Sequence, residues 1–374
     1  MTTRPPAEVG MPLEAVDTPA LLLDLDPFER NLARPAAAIT GPRVRLRPHA
    51  KTHKCPQIAL RQIAHGAVGV CVQKVSEAEA MISGGVPDVL VSNEIVGPSK
   101  IARLVALARQ ARVAVCADDP ANVGDLNAAA LASGVRLPVL VEVNVGANRC
   151  GVEPGEPAAA LARQIVASPG LRFAGLQAYH GSAQHVREYA RRQEAIEGVV
   201  EKVRRTLDVL GRAGLACDVV TGAGTGTYRF EAASGVYTEL QVGSYIFMDA
   251  DYARDLAEDG GPYRDFEHSL FVYATVMSRP AKDRAVLDAG LKALSVDSGM
   301  PLVHEMPDVE YHRASDEHGA LILHDPQRAL RVGDKLRLVP GHCDPTVNLH
   351  DWYVCVRKDR VEALWPISAR GPGL

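Results

Sequence analysis

Lys51 lies in a short polar segment with the composition of a nucleophilic site. Residues 48–54 read PHAKTHK. A lysine amine can form a Schiff base with a carbonyl compound, and neighbouring cations favour its neutral, nucleophilic form. Lys54 would supply such a cation, as would His49 or His53 when protonated. The alternative interpretation is a basic turn on the surface.

Two glycine-rich segments have the composition of a phosphate-binding site. Residues 221–227 read TGAGTGT, and residues 243–245 read GSY. Glycines let backbone amides approach a phosphate closely, and Thr and Ser hydroxyls add donors. A tight turn that needs positive φ is the alternative. Together with Lys51, the segments suggest pyridoxal phosphate, and the predicted contacts are Gly222, Gly224, Thr225, Gly226, Gly243, Ser244 and Tyr245.

Three further side chains follow apolar runs of the middle of the chain. Arg149 could hold the phenolate oxygen of such a cofactor or a substrate carboxylate, and Tyr179 could pack against the ring or hydrogen-bond to it. His185 could transfer protons, because imidazole titrates near neutral pH. The alternatives are a helix-capping salt bridge for Arg149 and a helix N-terminal position for His185.

A metal half-site is predicted near the C-terminus, where residues 341–351 read GHCDPTVNLHD. If residues 342–344 are extended, the side chains of His342 and Asp344 point to one side and that of Cys343 to the other. A carboxylate is a hard ligand, so Mn²⁺ or Mg²⁺ fits better than a thiolate-bound metal, with zinc as the alternative. A polar turn is the other interpretation, and a bulge would restore Cys343 as a ligand.

Eight short β-branched runs must position these side chains. They alternate with segments of helical period such as residues 100–110 and 157–167, a pattern typical of parallel βα units. The runs are residues 44–48, 68–72, 88–92, 113–117, 139–144, 173–178, 218–221 and 238–242. Eight such units predict a TIM barrel, in which the chemistry lies at the C-terminal ends of the strands.

The pattern changes after Tyr252, where alternating apolar runs continue without long helical segments between them. The runs are residues 270–277, 285–288, 330–339 and 353–357. They predict an antiparallel β domain. We therefore expect a barrel over residues 26–252 and a β domain made of residues 1–25 and 253–374. The opening strand at residues 20–25 could belong to either domain.

Composition excludes several classes of protein. The 374 residues are too many for a small stapled module, and 47% hydrophobic with 23% charged residues is typical of a globular chain. A net charge of -4 provides no cationic surface for nucleic acid. Seven cysteines without a CxxC pair indicate reduced thiols and a cytoplasmic protein. Without a signal peptide or a long apolar run, we expect no membrane segment and a small-molecule partner.

The motifs together resemble those of the D-threonine aldolase and D-serine dehydratase-like family. They are DTP at 17–19, PHAKTHK at 48–54, NRCG at 148–151, YHGSAQH at 179–185, TGAGTGTY at 221–228 and GHCDPTVNLHDWYV at 341–354. The resemblance runs through nearly the whole chain. It implies an alanine racemase type of fold, with a barrel that binds pyridoxal phosphate and a C-terminal β domain, and a divalent metal beside the cofactor.

The resemblance also implies roles for particular residues. Lys51 would carry the cofactor, Arg149 and Tyr179 would contact it, and His185 would carry protons. His342 and Asp344 would bind the metal, and residues 224–226 and 243–245 would hold the phosphate. The dehydratase branch has His-x-Cys with zinc where this chain has His-x-Asp, which favours the aldolase branch. Relatives with this fold commonly pair, so a homodimer is expected.

We therefore predict an aldolase that cleaves D-3-hydroxy amino acids, of the D-threonine or 3-hydroxy-D-aspartate type, to glycine and an aldehyde. The first alternative is a dehydratase that forms a keto acid and ammonia from D-serine or 3-hydroxyaspartate. A racemase is less consistent, since it has no use for the His342 and Asp344 pair. A non-catalytic carrier of pyridoxal phosphate is the alternative from another class, although it needs no C-terminal metal site.

Overall fold

Two sheets organise the part of the chain that the structure describes. The structure is a computed structural model, and it describes residues 4–38 and 44–373. Its first elements are β1 (Ala20–Asp24) and α1 (Leu25–Ala38). A parallel sheet follows, and an antiparallel sheet takes up the rest of the chain.

The parallel sheet is a barrel of eight strands. They are β2 (Arg45–Leu46), β3 (Val70–Val72), β4 (Asp88–Glu94), β5 (Arg112–Ala117), β6 (Leu137–Glu142), β7 (Leu171–Ala178), β8 (Val220–Gly222) and β9 (Glu239–Leu240). Their order is β2-β9-β8-β7-β6-β5-β4-β3, and a parallel bridge between His49 and Cys71 closes the ring between β2 and β3. Each strand overlaps one of the eight predicted runs, so the predicted barrel is confirmed.

Helices cover the outside of the barrel. They are α2 (Pro56–Ala64), α3 (Val75–Ser83), α4 (Pro98–Leu107), α5 (Pro120–Ala132), α6 (Glu156–Ala167), α7 (Tyr189–Arg212) and α8 (Tyr228–Ala233). Proline lies in the first turn of α2, α4, α5 and α6, where its missing N–H breaks no helical hydrogen bond. The carboxylate of Asp119 caps α5 by accepting from the amide of Asn122 at 2.9 Å.

The second sheet is mainly antiparallel and contains the first strand. Its later members are β10 (Leu270–Ala281), β11 (Arg284–Leu287), β12 (Leu302–Val303), β13 (Val309–Ala314), β14 (Gly319–Leu323), β15 (Lys335–Val339), β16 (Trp352–Arg357) and β17 (Arg360–Pro366). A short helix, α9 (Cys343–Val347), connects β15 to β16. β1 lies between β10 and β16, antiparallel to the first and parallel to the second. The start of the chain therefore builds the same sheet as its end.

The strand expected at residues 330–339 is shorter than the apolar pattern indicated. β15 begins only at Lys335. The carboxylate of Asp334 accepts from the amide of Arg331 at 2.6 Å, and Gly333 has φ of +95°. A turn with a left-handed residue cannot continue a strand ladder, so the first half of this run is a loop.

All seven cysteines are free thiols. Within residues 4–38 and 44–373, no helix combines the length and the apolar composition that crossing a bilayer requires.

Arg192 connects three parts of the barrel rim from inside the protein. Its side chain is buried in α7. The guanidinium donates to the carbonyl oxygens of Val186, Arg187, Gly226 and Leu256 at 2.7, 3.0, 2.9 and 2.8 Å. A buried charge needs such partners, because leaving water is costly for an ion. One side chain thus ties α7 to the loop after β8 and to the segment that leaves the barrel.

We expect Arg192→Met to lower the free energy of unfolding by about 3 kcal/mol, because four buried carbonyl groups lose their donor. Urea unfolding measures the change. The adjacent Arg191 has a side chain 74% exposed, so Arg191→Met is the matched control and should stay within about 0.5 kcal/mol of the parent. Equal losses in the two variants would contradict this account of Arg192.

Candidate active site

A cavity of about 280 Å³ opens at the C-terminal ends of the barrel strands. This is the end of a TIM barrel where catalytic residues gather. The residues predicted from sequence that line it are Lys51, Arg149, Tyr179, Gly224, Thr225, Gly243 and Ser244. The remaining predicted residues lie around the cavity but do not line it. They are Gly222, Gly226, His185, Tyr245, His342 and Asp344.

Lys51 meets the β domain at this cavity. It lies in the loop after β2, and its Nζ forms an ion pair with Oδ2 of Asp344, which comes from α9. The backbone amide of Lys51 lies 3.3 Å from Nδ1 of His49. Burial opposes the charged amine, but the carboxylate of Asp344 outweighs it, and the pKa of Lys51 is raised. The amine therefore lies at the junction of the two sheets and is charged.

The expectation that neighbouring cations keep Lys51 neutral is wrong for this structure. Lys54 pairs with Glu77, with Nζ to Oε1 at 2.5 Å. Burial holds the pKa of His49 well below its ordinary value and lowers the pKa of His53 to about 4. Both imidazoles are consequently neutral near pH 7, and Lys54 has its own carboxylate. The sequence could not reveal these partners, because burial and Glu77 are contributed by other elements.

His342 and Asp344 are brought to the cavity by the start of a helix. His342 is extended, with φ of −143° and ψ of 124°, but α9 begins at the next residue. The extended alternation considered for residues 342–344 therefore does not occur, and Asp344 lies in the first helical turn. Nδ1 of His342 is 2.8 Å from Oδ2 of Asp297. That contact leaves Nε2 as the ring nitrogen for a metal, the usual support for a histidine ligand.

The thiol of Cys343 belongs to the interior. Cys343 is fully buried, and its backbone amide donates to the carboxylate of Asp249 at 3.0 Å. Burial raises the pKa of the Cys343 thiol well above its ordinary value, and the nearby carboxylates add to the shift. A thiol in these surroundings stays protonated and is a poor metal ligand.

Arg149 and Tyr179 lie together on one wall of the cavity. The guanidinium carbon of Arg149 is 5.8 Å from the centroid of the Tyr179 ring, within the range of a cation–π contact. Arg149 follows Asn148, which has φ of +50° and turns the loop toward the cavity. Burial raises the pKa of the Tyr179 phenol. A cation and an aromatic face are thus available to a planar ligand.

The glycine-rich loops form a tight cradle after β8 and β9. A Cβ on Gly243 would lie 2.6 Å from Oγ1 of Thr52, and one on Gly222 would lie 2.2 Å from the carbonyl oxygen of Ala178. A Cβ on Gly224 would lie 2.4 Å from Oε1 of Gln184, and one on Gly226 would lie 3.0 Å from Oδ2 of Asp255. Oγ1 of Thr225 is buried and makes no hydrogen bond within the described chain.

Tyr245 contributes to the core rather than to the wall of the cavity. Its side chain is completely buried, and its hydroxyl accepts from Nε2 of Gln62 at 3.1 Å. Its ring packs edge-on against Phe266, 5.5 Å between centroids. The tyrosine anchors the loop that presents Gly243 and Ser244.

His185 lies beyond Tyr252, which is one of the lining residues. The rings of His185 and Tyr252 stack with centroids 6.3 Å apart and planes at 25°. Nδ1 of His185 is 2.7 Å from Oδ2 of Asp251, and this hydrogen bond raises the pKa of His185. Asp251 also forms ion pairs with the guanidinium groups of Arg187 and Arg254. The carboxylate fixes the ring orientation and leaves Nε2 of His185 for proton transfer.

Sequence reasoning missed polar residues that complete the cavity. His49, Gln73 and Ser92 line it and form one network, with Nε2 of His49 2.8 Å from Nε2 of Gln73 and 3.2 Å from Oγ of Ser92. Gln177 and Gln241 also line it and share hydrogen bonds of 3.0 and 2.7 Å. Each follows or ends a barrel strand, so the strand-end rule could have found them.

A second acidic group was also missed. Ligand atoms of Glu94, Asp118 and Cys150 lie within 4.8 Å of one another, a group distinct from His342 and Asp344. It is built from the ends of neighbouring strands, so its members are far apart in sequence.

The residues present fit the phosphate of a bound cofactor. Thr225 offers a buried hydroxyl without a partner in the described chain, and Gly243 lets the backbone come closer than a side chain would allow. The fit to a divalent metal rests on the carboxylate of Asp344, which contacts the lining residue Lys51, and on the imidazole of His342, whose charge acts on that carboxylate. A barrel with such a cradle and a lysine at the end of its first strand belongs to the alanine racemase-like class of folds.

Comparison with known proteins agrees with this class. The family model "Alanine racemase, N-terminal domain" matches residues 23–251, and the model "Putative serine dehydratase domain" matches residues 269–356. D-threonine aldolase of Arthrobacter sp. is 51% identical over 98% of this chain and 96% of its own length. 3-Hydroxy-D-aspartate aldolase of Paracoccus denitrificans strain Pd 1222 is 48% identical with the same coverage. The crystal structure of D-threonine aldolase from Filomicrobium marinum has a TM-score of 0.95 at 51% identity and covers 99% of both chains.

The chain belongs to the D-threonine aldolase and D-serine dehydratase-like family, with the alanine racemase type of fold. The predicted family is confirmed, and its members of about 50% identity are aldolases, which are carbon–carbon lyases. This family implies pyridoxal phosphate as the cofactor and a small hydroxy amino acid as the substrate.

We expect Asp251→Asn to lower the pKa of His185. The negative charge of Asp251 stabilises the imidazolium, and the neutral amide of asparagine does not. Arg187→Gln is the matched variant with the opposite sign, since the charge of Arg187 lowers the pKa of His185. An NMR titration of histidine-labelled protein measures both shifts. Shifts of the same sign in the two variants would contradict the assigned contacts.

Proposed function

We propose that this chain is an aldolase that requires pyridoxal phosphate and a divalent metal, and that it cleaves the Cα–Cβ bond of D-3-hydroxy amino acids. The products are glycine and an aldehyde. The observation that carries the proposal is the contact between Lys51 and Asp344. It joins the lysine proposed to carry the cofactor to a carboxylate proposed to bind the metal, so both act on one substrate.

Lys51 is proposed to bind the cofactor, and the loops after β8 and β9 to hold its phosphate. Gly222, Gly224, Gly226 and Gly243 let these loops pack closely against their neighbours. Thr225, Ser244 and the backbone amide of Tyr245 are the proposed donors. When bound, pyridoxal phosphate supplies a conjugated ring that delocalises the electron pair left at Cα. Tyr179 and Arg149 are proposed to hold the ring, or Arg149 a substrate carboxylate.

His342 and Asp344 are proposed to hold the metal beside Lys51. A divalent ion there supplies Lewis-acid charge to the β-hydroxyl of the substrate. The carboxylate favours Mn²⁺ or Mg²⁺, with zinc as the alternative. His342 immediately precedes α9 and Asp344 lies in its first turn, so the β domain would position a metal held by these two residues.

His185 is proposed to accept the proton of the β-hydroxyl as the aldehyde leaves. Its Nδ1 is occupied by Asp251, so Nε2 is the basic nitrogen. The ring of Tyr252, a residue that lines the cavity, stacks with His185 and limits how the imidazole can turn. The proposed substrates are D-threonine and 3-hydroxy-D-aspartate, and the exposed guanidinium of Arg149 suits the second carboxylate of the latter.

A dehydratase is the second candidate, and one observation favours it. The C-terminal residues 269–356 match the serine dehydratase domain model. In that reaction Lys51 would remove the proton from Cα, and the hydroxyl would leave as water, giving a keto acid and ammonia. The same residues can serve both reactions, so the products decide between them.

Borohydride reduction of the holoenzyme should attach the cofactor permanently to Lys51, which peptide mapping identifies. Lys51→Ala should lose the visible absorbance of bound pyridoxal phosphate as well as turnover, because no other amine occupies that position. Lys54→Gln is the control from the same segment and should retain the label, since Lys54 pairs with Glu77. A label on any other lysine would overturn the assignment.

Removal of divalent metal by a chelator should abolish glycine formation from D-threonine and 3-hydroxy-D-aspartate, and Mn²⁺ should restore it. Asp344→Asn and His342→Ala should lose at least about 100-fold of the metal-dependent rate, because a Lewis acid contributes several kcal/mol to such steps. Cys343→Ala is the control between them and should respond to Mn²⁺ like the parent.

The same assay decides between the two reactions. Glycine as the main product from D-threonine, D-serine and 3-hydroxy-D-aspartate supports the aldolase. Predominant ammonia and keto acid would replace it by the dehydratase, and a rate indifferent to chelator would remove the metal from the proposal.

A further inference from the structure

The barrel has a second large cavity at its opposite end. Its volume is about 370 Å³, more than that of the cavity at Lys51. Its lining residues come from the first residues of the strands, such as Arg45, Arg112 and Glu239. It is therefore separate from the proposed active site and does not depend on the proposed function.

Small side chains create this space. A barrel interior is normally filled by layers of bulky residues from alternate strands. At this end, Leu90 and Leu140 line the cavity together with Ala114 and Ala174. The two alanines occupy much less volume than the branched residues typical of a barrel interior, which leaves the space open. Because all four side chains are apolar, the floor of the cavity is apolar.

Arginine is the most frequent charged residue at the opening of this cavity. Five arginines line the cavity against two carboxylates, Asp88 and Glu239, which is an excess of three positive charges in a chain of net charge -4. Both carboxylates already form ion pairs with Arg47, at 2.7 Å for Asp88 and 2.8 Å for Glu239. Arg112 also pairs with Asp88, at 3.1 Å.

The other three arginines have no carboxylate partner within residues 4–38 and 44–373. They are Arg45, Arg136 and Arg172, and all three are exposed at the rim. Nε of Arg136 donates to the backbone carbonyl of Leu171 at 3.1 Å, a contact that does not compensate its charge. Like charges that converge on one opening raise the local concentration of anions.

We propose that this cavity binds a small organic dianion with an apolar body, such as an aromatic dicarboxylate. The guanidinium groups of the rim pair with the two anionic groups, since a guanidinium matches a carboxylate in a bidentate contact. The apolar body rests on the floor that Ala114 and Ala174 leave open. The barrel thus has a binding site at each end, one for the reaction and one for an anion.

Isothermal titration calorimetry of the holoenzyme with isophthalate tests the proposal. We expect one site per chain with a Kd of about 1 mM or tighter, weakened by added salt. Arg136→Gln/Arg172→Gln should raise this Kd at least about tenfold, because each substitution removes a charged contact. Arg163→Gln, on the outer face of α6, is the matched control and should change it less than about twofold.

A second variant tests the floor without changing any charge. Ala174→Leu fills the cavity and should also raise the Kd for isophthalate at least about tenfold. Inorganic pyrophosphate, which has charge but no apolar body, should bind more weakly than isophthalate to the parent. The proposal is overturned if isophthalate does not bind, if neither variant weakens it, or if pyrophosphate binds equally well.

Discussion

The proposed chemistry depends on one contact between distant parts of the chain, the pairing of Lys51 with Asp344. The two residues are 293 positions apart. One follows the first barrel strand, and the other begins a helix of the β domain. The barrel places the amine, but only the second sheet places the carboxylate that holds its charge. Neither sheet alone would contain a complete site.

The junction around this contact is held by buried charges that partner one another. Arg192 donates hydrogen bonds to four carbonyl groups in three segments. Asp251 forms ion pairs with two guanidinium groups beside His185. Because an ion inside a protein is stable only with its partners in place, these groups fix the segment that leaves the barrel. The same constraint holds the ring of His185 against Tyr252. Stability and the geometry for proton transfer are therefore linked in this part of the molecule.

Much of the architecture could be predicted because its signals are local. Short β-branched runs alternating with helical periods identified all eight barrel strands, although β2 and β9 have only two residues each. The glycine-rich loops were recognised from their composition, and the structure shows that Gly243 has no room for a side chain. The turn at residues 331–334 was missed because the pattern of apolar residues gives no information on the left-handed backbone of Gly333.

The remaining features were decided by elements that are distant in sequence. Residue types and their order determined the barrel, the position of Lys51 at a strand end and the His-x-Asp pair, since each follows from hydrophobic period or from neighbouring residues. Tertiary structure decided that His49 and His53 are neutral, that Lys54 is bound to Glu77, and that Asp344 arrives from the start of a helix. It also created the cavity at the other end of the barrel. Burial and charge pairing across elements have no counterpart in local sequence, because they depend on which surfaces the fold brings into contact.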